Sequence, residues 1–452
     1  MKIRCSSVVT SLVVAVALGA SSQASAQSAQ PAPAAARSPA LDALHKRIDR
    51  QAEVVLPRVV AWRRDLHKHP ELGNRETRTA KVIADHLRKL GYEVKTGVGK
   101  TGVVGVLRGG KPGPVVALRS DMDALPVAEE TDLPFASKAR TKYNGRDVGV
   151  MHACGHDFHM AILMGTAEVL AGMRAELPGT VKLIFQPAEE GPPEGEEGGA
   201  PLMIREGVLD KPKVDAVFGL HVFPNKLGSI AVRPRGIMAA ADTFSITVRG
   251  RQTHGALPWS GIDPIVVAAQ IVLGLQTIIS RQSDLTAAPA LITVGIIEGG
   301  NRFNIIPDSV RMTGTIRTFD PAMQKQIHER IRRTAERIAA ASGATAEVDI
   351  DIGNPVTYND AALTARMLPS LARVAVGGFE PNAQAVTTAE DFSWYQKSVP
   401  GVFFFLGVAP KGADLANVAP NHSPRFNPDE AGLVIGVRAM ASVAVDYLVG
   451  AQ

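Results

Sequence analysis

The stretch "MHACGHDFHM" (Met151 to Met160) sets Cys154 two residues from His156 and adds His152, Asp157 and His159. Thiolate and imidazole are good ligands for zinc and related divalent ions. Two ligands do not make a site, and a lone Cys-x-His pair is more often a buried cysteine beside histidines bonded to backbone. The question is whether further ligands stand elsewhere. "LIFQPAEEG" ends an apolar run in two carboxylates, Glu189 and Glu190. At a strand end, neighbouring side chains point different ways, so one can hold a metal while the other faces a water. "FGLHV" sets His221 in an apolar run, "APNHSPRF" sets His422 in a Pro/Asn-rich loop, and "LRSDMDALPV" ends a run in Asp121 and Asp123. Each alone has a plainer reading: a satisfied core histidine, a surface-loop histidine, turn and cap residues. Together, Cys154, His156, Glu190, His221 and His422 exceed the needs of one tetrahedral ion and suit two ions sharing a ligand. Hydrolytic enzymes commonly hold two metals ~3.5–4 Å apart.

Such residues must be brought to one place, and the periodicities say how. "LDALHKRIDRQAEVVLPRVVAWRRDLHK" and "RETRTAKVIADHLRKLG" read as helices, the first stopped at Pro70 and the second at Gly91. Strand-like runs follow ("YEVKT", "GVVGVLRG", "PVVALRSDM"), then the helical "HMAILMGTAEVLAGM" and the strands "TVKLIFQPA" and "AVFGLHV". This alternation predicts an α/β catalytic domain, a mixed sheet flanked by helices, with ligands gathered at strand ends. From residue 239 to 353 the order becomes β-α-β-β-α-β, the ferredoxin-like split unit. That α+β unit can close on itself, so it reads as an insertion dividing the catalytic domain into residues 41–238 and 354–452. "GVGKTG" (Gly97 to Gly102) fits a dinucleotide fingerprint by letter. The glycine-rich "VVGVLRGG" after it argues for a hairpin turn instead of a phosphate loop. No G-x-S-x-G is present for a serine hydrolase.

The bulk properties are those of a globular chain: 452 residues, 45% hydrophobic and 21% charged, with a formal net charge of +5. No basic stripe or aromatic–basic interleaving suggests nucleic acid. Lys2 and Arg4 precede the apolar "VVTSLVVAVALGA", and small residues stand at Ala24 and Ala26. This reads as a signal peptide over residues 1–26, followed by an Ala/Pro-rich leader over 27–40. A periplasmic or secreted enzyme, free of the membrane after cleavage, is the expectation. Cys5 would leave with the signal, so Cys154 would be a lone thiol in an oxidising compartment, either buried or occupied.

With these residues in hand, the sequence resembles the M20 metallopeptidase family, in particular its amidohydrolase branch of hippurate, N-acyl-amino-acid and indoleacetyl-amino-acid hydrolases. The matching motifs are "LRSDMDALPV", "MHACGHDFHMA", "FQPAEEG", "GLHV", "GGNRFNIIPD", "GTIRTFD" and "NHSPRF", from about Ala61 to the C-terminal helix. "HACGHD" together with "QPAEEG" is the specific combination. The resemblance implies two divalent ions (Zn or Mn, with Co or Ni as alternatives) bridged by Cys154. His156 and Glu190 would complete one ion, and His221 and His422 the other. Glu189 resembles the general base, and Asp123 would stand behind the ligands and orient them. His254, in "RQTHGALPW", resembles a histidine that stabilises the tetrahedral oxyanion, often in a neighbouring subunit, which implies a homodimer with the insertion as lid and dimerisation domain. Asn304 and Arg317 lie in motifs that approach a substrate carboxylate. The implied reaction is hydrolysis of an N-acyl amino acid or short peptide by metal-activated water. The alternative is a metallo-dipeptidase or carboxypeptidase of the same fold. Trp259 stands where many branch members carry histidine, which puts substrate identity in question and leaves the metal chemistry as it is. A metal-holding protein without activity leaves Glu189 and His254 unexplained. A Cys154–His156 cysteine hydrolase leaves the glutamates idle.

Overall fold

A computed structural model describes residues 39–450. The expected signal peptide and nearly all of the Ala/Pro-rich leader lie outside the described residues. The first helix, Pro39–Lys68, buries Ile48, Ala52, Val55, Val59 and Leu66, a helical stripe, and stops ahead of Pro70.

An eight-stranded mixed sheet organises the fold. Four strands at its centre, Pro178–Gln186, Lys111–Asp121, Ala216–Phe223 and Gly401–Gly407, run parallel. Buried on both faces, they read as nearly continuous apolar runs. The antiparallel hairpin Glu93–Val98/Gly102–Arg108 forms one edge, and its turn is the "GVGKTG" segment. Short strands Ser229–Ala231 and Gly378–Glu380 form the other. The strand Gly401–Gly407 is absent from the sequence expectation, although "GVFFFLG" is apolar throughout. One face packs the long helices, among them His156–Gly172 and Gly432–Gly450, into the larger core; the other packs Gly199–Arg205 and the Phe392–Tyr395 region.

A second, four-stranded antiparallel sheet has the order Ala290–Gly299, Ser309–Thr318, Ala240–Arg249, Thr345–Asn354. With helices Pro264–Gln282 and Pro321–Ala341 it forms the β-α-β-β-α-β unit with its own core, including Phe244, Ile246, Leu275 and Ile331. Both helices start on an aspartate cap, Asp263 and Asp320, with proline next in line. Its other face presents Thr243, Ser245, Arg311 and Arg317.

Candidate dinuclear metal centre

The parallel strands end at one edge, and their following loops converge there. Cys154 Sγ lies 3.3 Å from His221 Nε2 and 3.2 Å from His422 Nε2. His422 Nε2 lies 3.0 Å from Glu190 Oε1. Cys154 belongs to two groups of donor atoms, Cys154–His156–His221 and Cys154–Glu190–His422, each with all its members within 4.8 Å of one another. Cys154 is common to both, as expected for a shared ligand. His156 also groups with Glu189 and Glu190, so it stands within reach of its expected partner as well as of His221.

Backbone contacts set the two buried histidines in one orientation. His221 Nδ1 bonds the Val222 carbonyl at 2.8 Å, and His156 Nδ1 bonds the Asp123 carbonyl at 2.8 Å. A carbonyl only accepts, so both rings carry a proton on Nδ1 and turn Nε2 toward the centre. His156 Nε2 is buried without a hydrogen-bond partner. His159 braces the arrangement: its Nδ1 meets Asp121 at 2.7 Å, and its Nε2 accepts from the Val222 amide at 2.9 Å, beside His221. His422 sits in the left-handed region (φ 69°), fixed by its own N–H on the Ala153 carbonyl at 2.8 Å. Asn421 bonds the carbonyls of Cys154 and Val222, tying this loop to the others.

Glu189 and Glu190 follow a forced turn. Ala188 has φ 50°, unusual for a residue with a Cβ, and its N–H is held by the buried Glu76 carboxylate at 2.9 Å. The Glu190 N–H donates to Asp123 Oδ2 at 3.0 Å, so Asp123 orients His156 and Glu190 together. Glu189 faces Glu390 and Asp391, its oxygens within 4.8 Å of theirs. Arg119 lies buried behind them, 3.0 Å from Glu390 and 2.9 Å from Asp391.

The electrostatics favour cations. Burial and the neighbouring Glu190 and Glu189 push the Cys154 thiol well above its usual range. Burial resists charge on His156, but Asp121 and Asp123 overcome it and raise that group to about 10. A field that holds a proton on a buried imidazole and denies ionisation to a thiol is short of positive charge. Divalent ions would supply it by displacing the protons of His156 Nε2 and the Cys154 thiol, so the residues fit a dinuclear centre. Burial, with the negative Glu390 and Glu190, raises Glu189 well above an ordinary carboxyl.

The cluster opens into a cleft of ≈ 470 Å³ that Arg317 also lines. Arg317 is partly buried, which lowers its pKa from the usual guanidinium value, and it makes no hydrogen bond or ion pair among the described residues. His254 and Asn304 do not line this cleft. They sit together at a short ribbon in which Thr253–His254 pairs with Ile305–Ile306, His254 exposed and Asn304 half-buried. Sequence reasoning missed Glu76, Arg119, Glu390 and Asp391. "TTAEDFSW", adjacent acids beside aromatics, was the available signal for the last two.

The model of Peptidase family M20/M25/M40 matches residues 117–446. The chain belongs to this family. It is 41% identical to thermostable carboxypeptidase 1 of Saccharolobus solfataricus, over 86% of this chain and 95% of that protein. It is 39% identical to N-acetylcysteine deacetylase of Bacillus subtilis, over 86% and 97%. A solved Bacillus subtilis structure, described as a dinuclear metal-binding peptidase from the M20 family, superposes with a TM-score of 0.74 at 37% identity, covering 88% of this chain and 99% of that one. The protein is thus a metal-dependent hydrolase of amide or peptide bonds in amino-acid- or peptide-like substrates.

Proposed function

We propose that this M20 hydrolase is a secreted homodimer that removes the acyl group from N-acyl amino acids, with Cys154, His156, Glu190, His221 and His422 holding two divalent cations. The observation that carries the substrate class is Arg317, a guanidinium without an ion pair in the same cleft as the ligand cluster. A guanidinium matches a carboxylate with two parallel bonds, and the cleft has the size of a small-molecule site.

Bound divalent ions supply Lewis acidity toward an amide carbonyl and acidify a water for attack. The chain's own groups do the rest. Glu189 accepts the proton of the attacking water and returns it to the leaving amine. Its raised affinity for protons, set by burial and Glu390, suits a group that must both take and give. Arg119 holds Glu390 and Asp391 in place beside it. Arg317 fixes the carboxylate end and so places the amide over the centre.

Support for the dimer lies in the exposed apolar side chains of the four-stranded unit. Trp259 is 77% and Phe303 95% exposed, with Ile265, Leu273, Ile296 and Ile297 also in solvent. The last two lie on the edge strand Ala290–Gly299, whose outer backbone is open to pairing. In this reading His254, on the ribbon between Trp259 and Phe303, serves the cleft of a second copy. The basic, apolar and A-x-A succession before residue 27 supports secretion.

A hydrolysis screen of N-acetyl and N-benzoyl amino acids against dipeptides and longer peptides tests the assignment. Preference for the acyl amino acids is expected. Preference for peptides selects the carboxypeptidase reading, which the similarity to a carboxypeptidase favours.

A further inference from the structure

We propose that Asn354 is a specificity-determining residue that shares the substrate's carboxylate with Arg317; this rests on the N-acyl-amino-acid reading above. Three observations converge on it.

The first is a register shift. Along Ala240–Arg249, the positions 243, 245 and 247 pair with 351, 349 and 347 of the neighbouring strand, all on the open face of the sheet. Continued evenly, Ala241 would face Gly353. Instead the ladder shifts between Ala241 and Asp242, and Ala241 pairs with Asn354. Such a bulge re-aims the side chain that follows it. Gly353 makes it possible, since a Cβ there would lie 2.3 Å from the Ala241 carbonyl oxygen.

The second is the row that results. On its other side Ala241 pairs with Arg317. Arg317, Ala241 and Asn354 therefore stand abreast on three adjacent strands, and all three line the catalytic cleft. The two polar residues are two strand spacings apart, roughly 10 Å at Cα. Alanine between them leaves a notch where a carboxylate can be reached from both sides.

The third is the orientation of the amide. Trp394 Nε1 donates to Asn354 Oδ1 at 3.2 Å. An indole N–H only donates, so it fixes the asparagine oxygen toward Trp394 and turns the NH₂ group away from it. That NH₂ makes no hydrogen bond among the described residues. The site thus presents a positive fork and a neutral donor across one gap, which suits an anionic oxygen pair. Asn304, the asparagine expected in this role from the sequence, is half-buried beside the His254 ribbon and does not line this cleft.

The test is steady-state kinetics on paired substrates, an N-acetyl amino acid and its carboxamide, with the metal-loaded wild type, Asn354→Ala, Asn354→Asp and Trp394→Phe. For the carboxylate substrate, Asn354→Ala should raise KM roughly 10- to 100-fold, the loss of a bond to a charged acceptor, with kcat within about twofold. Asn354→Asp should raise it further, by pairing with Arg317 and repelling the substrate. KM for the carboxamide should stay near the wild-type value in Asn354→Ala. Trp394→Phe, which frees the amide and leaves Asn354 in place, should give an intermediate rise on the carboxylate alone. Equal effects on both substrates mean a structural role and overturn the assignment, as does an unchanged carboxylate KM. A wild type that hydrolyses neither substrate overturns the parent reading, and the assignment with it.

Discussion

Glu76 offers a sharp test of how the catalytic carboxylates are placed. It is 0% exposed and makes no hydrogen bond or ion pair to the candidate ligands among the described residues, yet it accepts from Thr101 Oγ1 at 2.5 Å and from the Ala188 amide at 2.9 Å. Ala188 is held at φ 50°, so Glu189 and Glu190 leave the strand in the directions observed. Glu76→Ala removes the hydrogen bond that holds that amide among the described residues and leaves a buried N–H unpaired, costing about 1–3 kcal/mol. Relief of a left-handed alanine releases a further ~1 kcal/mol toward a different turn. A shift of ~1 Å in Glu189 costs on the order of 100-fold in turnover. Glu76→Gln keeps both bonds, because the threonine hydroxyl can reverse and accept. The expected pattern is a kcat loss of about 100-fold in the alanine variant with KM within about threefold, and near wild-type turnover in the glutamine variant. Thermal unfolding should show the alanine variant folded at assay temperature. The pH dependence adds a second check. Burial, then the negative Asp123, raises Glu76 from 4.5 to about 7. The folded state then binds the extra proton, so in chelated protein this group's stabilisation is full below pH 4.5 and is lost as pH rises through 7. Glu76→Gln should flatten that slope. Wild-type kcat in folded Glu76→Ala, or an equal loss in Glu76→Gln, refutes the positioning argument.

Other expectations follow from the same geometry. Glu189→Gln should retain both metals by elemental analysis while kcat falls by about 10²–10⁴, the usual worth of a general base; unchanged kcat removes Glu189 from that role. Arg317→Ala should raise KM for N-acyl amino acids at least tenfold and leave carboxamide substrates unaffected, measured on the same substrate pairs. Cys154 should resist alkylation in metal-loaded protein and label after chelation at alkaline pH, where its raised thiol ionises; equal labelling of both states under those conditions, read by mass spectrometry, contradicts a bridging thiolate.

Local chemistry was the most legible part of the sequence. Cys154, His156, Glu189 and Glu190 declare themselves because loops at strand ends carry them in short, polar clusters. His221 is different: within an apolar strand it reads as a core histidine, and only His159 and Cys154 beside it give it a task. How ligands divide between two ions depends on which loops lie side by side across the sheet, which no short motif records. Gly401–Gly407 escaped for a related reason. A central strand buried on both faces has no alternation to betray it. Asn354 was hidden by one extra residue in a strand, because a register shift leaves no mark on the letters except a glycine. Glu76, Arg119, Glu390 and Asp391 act over sequence separations that only the fold closes.

Metal content measured alongside activity tests the central claim most directly. Protein stripped with excess chelator and dialysed should hydrolyse no N-acyl amino acid. Titration with Mn²⁺, Zn²⁺ or Co²⁺ should restore turnover as about two ions bind per chain, and Cys154→Ala should bind markedly less metal and stay inactive. Full hydrolysis by protein verified to be free of metal would contradict the account.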